Sequence, residues 1–317
     1  MLELFLIVVG VAGVIFGSEV AIRAAERVAR RWGVSPLIIG LTLTSIGTSL
    51  PEISTNIAAG LSSRAGTDAS GLLVGNIVGS CLSQITLLLG LTGLAAPLNK
   101  PPGFLRDGLM MLAASGLMLL VCLDRQATPI EGVGLTLVYL IYIVVLVRSA
   151  TQESEENGET NVDRESGGVL WEIGKALGGL LLVLFCANLV VDNAVIVARA
   201  IGLSETLIGL GIGIGTGLPE MAVALQAVRN KSADIGLGNL IGSNITDPLL
   251  SFSAGIVLHT AVVPPEVLYF DFPVWIGASV VAFLFIWTHD RLARWESGLL
   301  LGIFFAFFIA RYLLFEG

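Results

Sequence analysis

A short segment ending in a proline-glutamate pair occurs twice in this chain, each time inside a long apolar stretch. The copies read GTSLPE at Gly47–Glu52 and GTGLPE at Gly215–Glu220. A second matched motif comes after each one, GNIVGSCLSQ at Gly75–Gln84 and GNLIGSNITD at Gly238–Asp247. A carboxylate in apolar surroundings is costly unless it has a partner or a ligand. Two of them in register point to an internal repeat with an ion site on its axis, as in secondary transporters.

The background sequence sets the class. The chain is 55% hydrophobic and only 13% charged, with a mean hydropathy of +0.87. Soluble domains are about a quarter charged. Apolar runs of about 20 residues, the length that spans a bilayer, recur along most of the chain. The 38 glycines fit close packing of membrane helices. The predicted fold is therefore an all-α integral membrane protein in the lipid bilayer. Ten spans are expected, at 2–21, 35–61, 70–97, 104–123, 129–148, 169–192, 204–228, 234–262, 271–288 and 296–315. The N-terminus carries Glu3 and no basic leader, so it reads as a retained first helix.

The polar stretch 149–168 divides the chain into a first five-helix repeat (1–148) and a second (169–317). It reads as an acidic solvated linker, too short for a folded domain. It also holds much of the acid behind the net charge of −8, and no basic face suggests nucleic acid. Cys81, Cys122 and Cys186 have no paired spacing, so neither a disulfide framework nor a zinc site is expected. Placing the 22–34 loop in the cytoplasm puts thirteen of the 17 Lys and Arg residues inside. Both termini then lie outside the plasma membrane and the linker lies in the cytoplasm. Five spans per half is an odd number, so the second half enters the membrane inverted relative to the first.

The motifs have a local chemistry. Pro51 removes a backbone donor and clashes with the Gly47 carbonyl, so the helix should break there. Pro219 does the same in the second copy. Carbonyls freed in a membrane must face protein, water or an ion. Thr48 and Glu52 share a helical face, as do Thr216 and Glu220. Each copy thus offers carboxylate, hydroxyl and carbonyl oxygens, hard ligands suited to Ca²⁺, Na⁺ or Mg²⁺. Polar stripes at a period of four come next, Asn76–Ser80–Gln84 and Asn239–Ser243–Asp247, and should face the interior. Glu19 reads as structural because Arg23 lies four residues on. His259 and His289 read as interfacial, and Asp192 is assigned no role. No nucleophile–base pair or His-based metal motif suggests an enzyme.

At these residues the chain resembles the sodium/calcium exchangers of the calcium/cation antiporter superfamily, in their compact microbial form. The likeness rests on both motifs, G-T-S-L-P-E and G-N-x-x-G-S-N. It implies a central Ca²⁺ site formed by Glu52, Glu220, Thr48 and Thr216. It implies counter-ion sites at Ser49, Ser80 and Ser243, at backbone carbonyls before each glutamate (Ser45 and Gly213), and at the polar pair Gln84 and Asp247. Asn76, Asn239, Asn244, Pro51 and Pro219 would shape the site. No cofactor is implied, since Ca²⁺ and Na⁺ bind as substrates. The implied activity is Na⁺-driven Ca²⁺ antiport by alternating access, with proton-driven exchange of Ca²⁺ or another divalent ion as the alternative. A passive channel fits less well, because channels tend to repeat a filter by rotation among subunits.

The copies are not equivalent. Gly217 replaces the serine expected after Thr216, Cys81 replaces the asparagine of G-S-N, and Gln84 stands opposite Asp247. Gly40 to Gly47 spans seven residues but Gly209 to Gly215 spans six. One residue is worth about 100° of helix rotation unless a bulge absorbs it.

Overall fold

The computed structural model describes residues 2–32, 35–66, 68–96, 98–156, 166–201 and 217–315. They are overwhelmingly helical. Among the described residues, seven helices are long and apolar enough to cross a membrane: Leu2–Arg31, Ser70–Ala95, Phe104–Cys122, Pro129–Ser149, Gly168–Ala194, Val267–His289 and Arg294–Phe315. An eighth is the bent pair Pro36–Thr48 and Leu50–Arg64, whose halves meet at 44°. These eight coincide with eight of the ten expected spans. The expected span 204–228 lies partly outside the described residues. The expected span 234–262 is helical from Ala233 to Ile256 but is not among the helices that meet the length and hydropathy test.

In chain order, α1 is Leu2–Trp32, and Pro36–Thr48 comprises α2 (Pro36–Ile39), a π-helical turn (Gly40–Thr44) and α3 (Ser45–Thr48). Next come α4 (Leu50–Arg64), α5 (Ser70–Ser83), a π-helical turn at Gln84–Leu88, α6 (Leu89–Ala95), α7 (Phe104–Cys122) and α8 (Pro129–Glu156). The second half supplies α9 (Ser166–Ala200), α10 (Leu218–Arg229), α11 (Ala233–Thr246), a π-helical turn at Asp247–Ser251 and α12 (Phe252–Ile256). A last π-helical turn at Val267–Asp271 leads into α13 (Phe272–His289), and α14 is Arg294–Phe315. Helix α1 runs past the expected end at residue 21, through the Arg-rich segment. Alanine, arginine and glutamate dominate there and are strong helix formers.

Two compact units cut across the sequence halves. One holds 1–48 and 149–239, and the other 49–148 and 240–317. In the first unit, α1 lies along α9 on a seam of small residues. A Cβ on Gly17 would come within 2.8 Å of the Gly179 carbonyl, and one on Gly179 within 2.7 Å of the Gly17 carbonyl. The backbones can approach this closely only because those side chains are absent. Ala21, Ile22, Ala25, Val28, Leu180, Val223 and Ile235 fill the core beside the seam. Gly40 and Gly238 meet in the same way, since a Cβ on Gly238 would stand 2.5 Å from the Leu37 carbonyl.

The second unit packs α4 against α12 through Gly60 and Gly255, and a Cβ on Gly255 would meet the Asn56 carbonyl at 2.7 Å. Two short antiparallel pairings tie its connecting segments together. Leu98–Asn99 pairs with Arg291–Leu292, and Gln126–Ala127 with Ala261–Val262. Trp275, Phe252, Phe272 and Phe304 are its largest fully buried side chains.

Candidate functional site

The first helix breaks where Pro51 requires it, and in the second copy a helix begins one residue before Pro219. Ser49 is the single residue between α3 and α4, with φ −77° and ψ 3°. Gly217 precedes α10 with nearly the same conformation, φ −82° and ψ 3°. The first bond of each new helix also matches. Ile53 N–H donates to the Ser49 carbonyl and Met221 N–H to the Gly217 carbonyl, both at 3.0 Å. Each proline thus sits at the second position of a helix, where a missing N–H is tolerated. Each glutamate comes next in the first turn, where the positive end of the helix dipole favours a carboxylate.

In the second unit the break carries Glu52 into a polar interior. Glu52 is 1% exposed. Its Oε1 accepts from the Ser80 hydroxyl at 3.2 Å. Among the described residues its Oε2 is buried with no hydrogen-bond partner. Asp247 is fully buried, with Ser251 Oγ donating to Oδ1 at 3.0 Å and Gln84 Nε2 to Oδ2 at 3.0 Å. Gln84 Nε2 also donates to Ser80 Oγ at 3.1 Å. Ser49 Oγ and Ser243 Oγ are 3.4 Å apart. Of the stripe Asn76–Ser80–Gln84, Gln84 is buried, whereas Asn76 and Ser80 are half-buried. Asn76 Nδ2 donates at 3.0 Å to Asn56 Oδ1.

In the first unit Glu220 is fully buried at the start of α10, behind Pro219. Thr48 Oγ1 lies 3.2 Å from Asn239 Oδ1 and 3.3 Å from the Ser45 carbonyl, with one proton to share between them. Asn239 Nδ2 is buried and has no partner among the described residues. Ser45 Oγ donates to the Leu41 carbonyl at 2.7 Å. Thr216 and Gly213 lie outside the described residues.

Each unit thus holds a buried carboxylate at a helix start, with hydroxyl and amide oxygens available locally. Such a set offers hard oxygen ligands and no soft ones. Among the described residues no group of three or more His, Cys, Asp or Glu side chains is placed to hold a metal ion. Cys81, Cys122 and Cys186 are buried thiols, none of them in a disulfide.

Three participants were absent from the sequence reading. Asn56 lies four residues beyond Glu52 and donates at 3.0 Å to the Ser251 carbonyl; its spacing from Glu52 on one helical face was the available signal. Trp275 donates its indole N–H to Asn244 Oδ1 at 3.3 Å. Ser251 closes the π turn that Asp247 opens. Among residues set aside, Glu19 pairs with Arg23 and accepts from Gln226, which supports its structural reading. His289 Nδ1 lies 2.6 Å from Glu296 Oε1, and Asp192 and His259 are exposed.

A family profile described as sodium/calcium exchanger protein matches residues 2–148 and 171–313. The sodium/calcium exchanger MaX1 of Methanosarcina acetivorans is 30% identical, over 96% of this chain and 97% of its own length. The inner membrane protein YrbG of Escherichia coli is 32% identical, over 95% and 94%. The structure superposes on the sodium-calcium exchanger NCX_Mj soaked with 10 mM Na⁺ and zero Ca²⁺ at a TM-score of 0.84 and 28% identity, covering 99% of each chain.

Proposed function

This chain belongs to the sodium/calcium exchanger family, and from that premise we propose how it exchanges Ca²⁺ for Na⁺ across the membrane. Glu52, Glu220, Thr48 and Thr216 ligate Ca²⁺. Ser49, Ser80, Ser243, the carbonyls of Ser45 and Gly213, and Asp247 serve Na⁺. Asn76, Asn239, Asn244, Pro51 and Pro219 shape those places. The observation that carries this reading is the matched helix start. Two buried glutamates each open a helix behind a proline, at two turn residues of nearly identical backbone conformation.

The physical logic is mutual exclusion. Buried carboxylates without cations are strongly disfavoured in a membrane, so the site crosses only when Ca²⁺ or Na⁺ neutralises it. One set of oxygens that serves either ion in turn, open to one side at a time, couples the two fluxes. We further propose ten spans arranged as two inverted five-helix repeats, with both termini outside and 149–168 in the cytoplasm. The odd span count per half and the distribution of basic loops support that arrangement.

The test is reconstitution in proteoliposomes with an imposed Na⁺ gradient and radiolabelled Ca²⁺. Wild type takes up Ca²⁺ in exchange for Na⁺ that leaves down its outward gradient. Glu52→Gln and Glu220→Gln each lower the apparent Ca²⁺ affinity by on the order of 100-fold, because a charged ligand becomes neutral. Near-normal uptake by either variant removes that glutamate from the site. Uptake driven by a pH gradient alone favours proton coupling.

A further inference from the structure

The hydrogen bonds around Gln84 have a direction that the chemistry of their ends fixes. Trp275 Nε1 can only donate, so Asn244 Oδ1 must accept from it, at 3.3 Å. Asn244 Nδ2 donates to the Leu240 carbonyl, which can only accept, at 3.1 Å. That second contact sets the same amide orientation independently. Asn244 Nδ2 also donates to Gln84 Oε1 at 2.8 Å, which holds the one oxygen Gln84 has on the Asn244 side. Gln84 therefore turns its NH₂ group the other way, to Asp247 Oδ2 at 3.0 Å and Ser80 Oγ at 3.1 Å. Ser80 passes its own proton on to Glu52 Oε1 at 3.2 Å. The chain is polarised from an obligate donor to two carboxylates, and Asn244, Gln84, Asp247 and Trp275 are at most 1% exposed.

A cation ligand must present a lone pair, and an amide nitrogen bearing two hydrogens presents none. We propose that Gln84 is not an ion ligand in this chain but a fixed donor standing in for one monovalent cation between Ser80 and Asp247. Its two N–H groups occupy the directions from which a Na⁺ would approach Asp247 Oδ2 and the Ser80 oxygen. Trp275 and Asn244 are positioning residues, because they keep the Gln84 oxygen turned away. The specificity consequence is that this exchanger couples to one fewer monovalent cation than the same site with an acceptor at residue 84.

The inference rests on Na⁺-driven exchange at the Glu52 site, and the experiment separates the two. Na⁺-dependent Ca²⁺ efflux from proteoliposomes is measured for wild type, Gln84→Glu, Gln84→Ala and Asn244→Asp. Gln84→Glu replaces the donor with an acceptor, and Gln84→Ala vacates its place. Asn244→Asp accepts from Gln84 and so turns the Gln84 oxygen toward Asp247. The Hill coefficient for Na⁺ is expected to rise by about one, as linkage to one added cation requires. The same preparations, titrated with Na⁺ alone, should show a steeper Na⁺-dependent rise in melting temperature. Asn244→Asp leaves residue 84 intact and so reads the amide orientation even where a Gln84 variant does not fold. Wild type that moves no Ca²⁺ under a Na⁺ gradient overturns the exchange reading. Wild-type exchange with an unchanged Hill coefficient and melting slope in the folded variants overturns the Gln84 assignment alone.

Discussion

Ser49 and Gly217 show how much of this site is decided by single side chains on an equivalent backbone. Both residues sit in the turn before the proline-capped helix, with φ −77° and −82°. Neither value lies in the left-handed region, so the conformation makes no demand for glycine at 217. The missing hydroxyl is a matter of chemistry and not of strain. Ser49 Oγ reaches Ser243 Oγ at 3.4 Å, and that serine pair is the local gain of having a side chain there. Gly217→Ser is therefore expected to fold and purify like wild type. It should also increase apparent Na⁺ affinity severalfold, because one more oxygen ligand faces the second break. The Na⁺ concentration for half-maximal Ca²⁺ efflux measures this, and an unchanged value means that the residue-217 side chain does not reach an ion. The reciprocal Ser49→Gly change should weaken Na⁺ dependence without destabilising the turn.

At the scale of elements, the π-helical turns carry information the sequence pattern held only in part. The first repeat has one more residue than the second between its glycine and its break, and the structure absorbs a residue in the π-helical turn Gly40–Thr44. A π turn fits one extra residue into a helix without rotating the turns beyond it. The hydroxyls within it satisfy loosened carbonyls, Thr44 Oγ1 bonding Gly40 O at 2.8 Å and Thr42 Oγ1 bonding Ile38 O at 2.7 Å. Two further π turns begin at Gln84 and Asp247, equivalent positions in the repeats. Close crossings set the other demand. A Cβ on Gly238 would meet the Leu37 carbonyl at 2.5 Å and the Gly40 Cα at 3.1 Å, both of them backbone atoms that cannot rotate away. Gly238→Ala should cost about 1–3 kcal/mol, the range for overpacking. Gly134→Ala on α8, with no described atom within 4 Å of its Cβ, should leave stability level or slightly raised. Thermal unfolding in detergent separates them, and equal melting temperatures refute the packing argument. The break at Pro51, the helix start at Pro219 and the burial of both glutamates were legible because proline chemistry and charge burial are local rules. The π turns at Gln84 and Asp247 were not, since no difference in spacing between the repeats marks them. Trp275 was illegible for another reason: its partner Asn244 lies 31 residues away and only tertiary structure joins them.

At the scale of the molecule, the compact units do not coincide with the stretches of sequence on either side of 149–168. The unit of 1–48 and 149–239 draws α1 from the first half and α9 from the second. Their seam is lined by Gly10, Gly13, Gly17 and Gly179, with Val183, Cys186 and Val190 opposite. Small-residue seams hold helices by close backbone contact, which depends on register along the whole length. Toward the C-terminal end of α1, Arg27 Nε binds Glu172 of α9 at 2.6 Å, which fixes that register again, and Lys175 Nζ of α9 binds the same carboxylate at 2.7 Å. Two helices locked at several levels should move as one body during the transport cycle. A crosslink between them is then compatible with transport. A Cβ at Gly13 would lie against Cys186 Sγ and 3.2 Å from Cys186 Cβ, slightly closer than disulfide geometry prefers. Gly13→Cys needs a helix shift of a few tenths of an ångström to bridge Cys186, so its reduced form is the reference for its oxidised form. The oxidised protein is expected to retain the Ca²⁺ exchange rate of the reduced protein. A fall in rate on oxidation, reversed by reductant, would instead mean that α1 and α9 slide past each other during the cycle and that the register held by Glu172 is one of two.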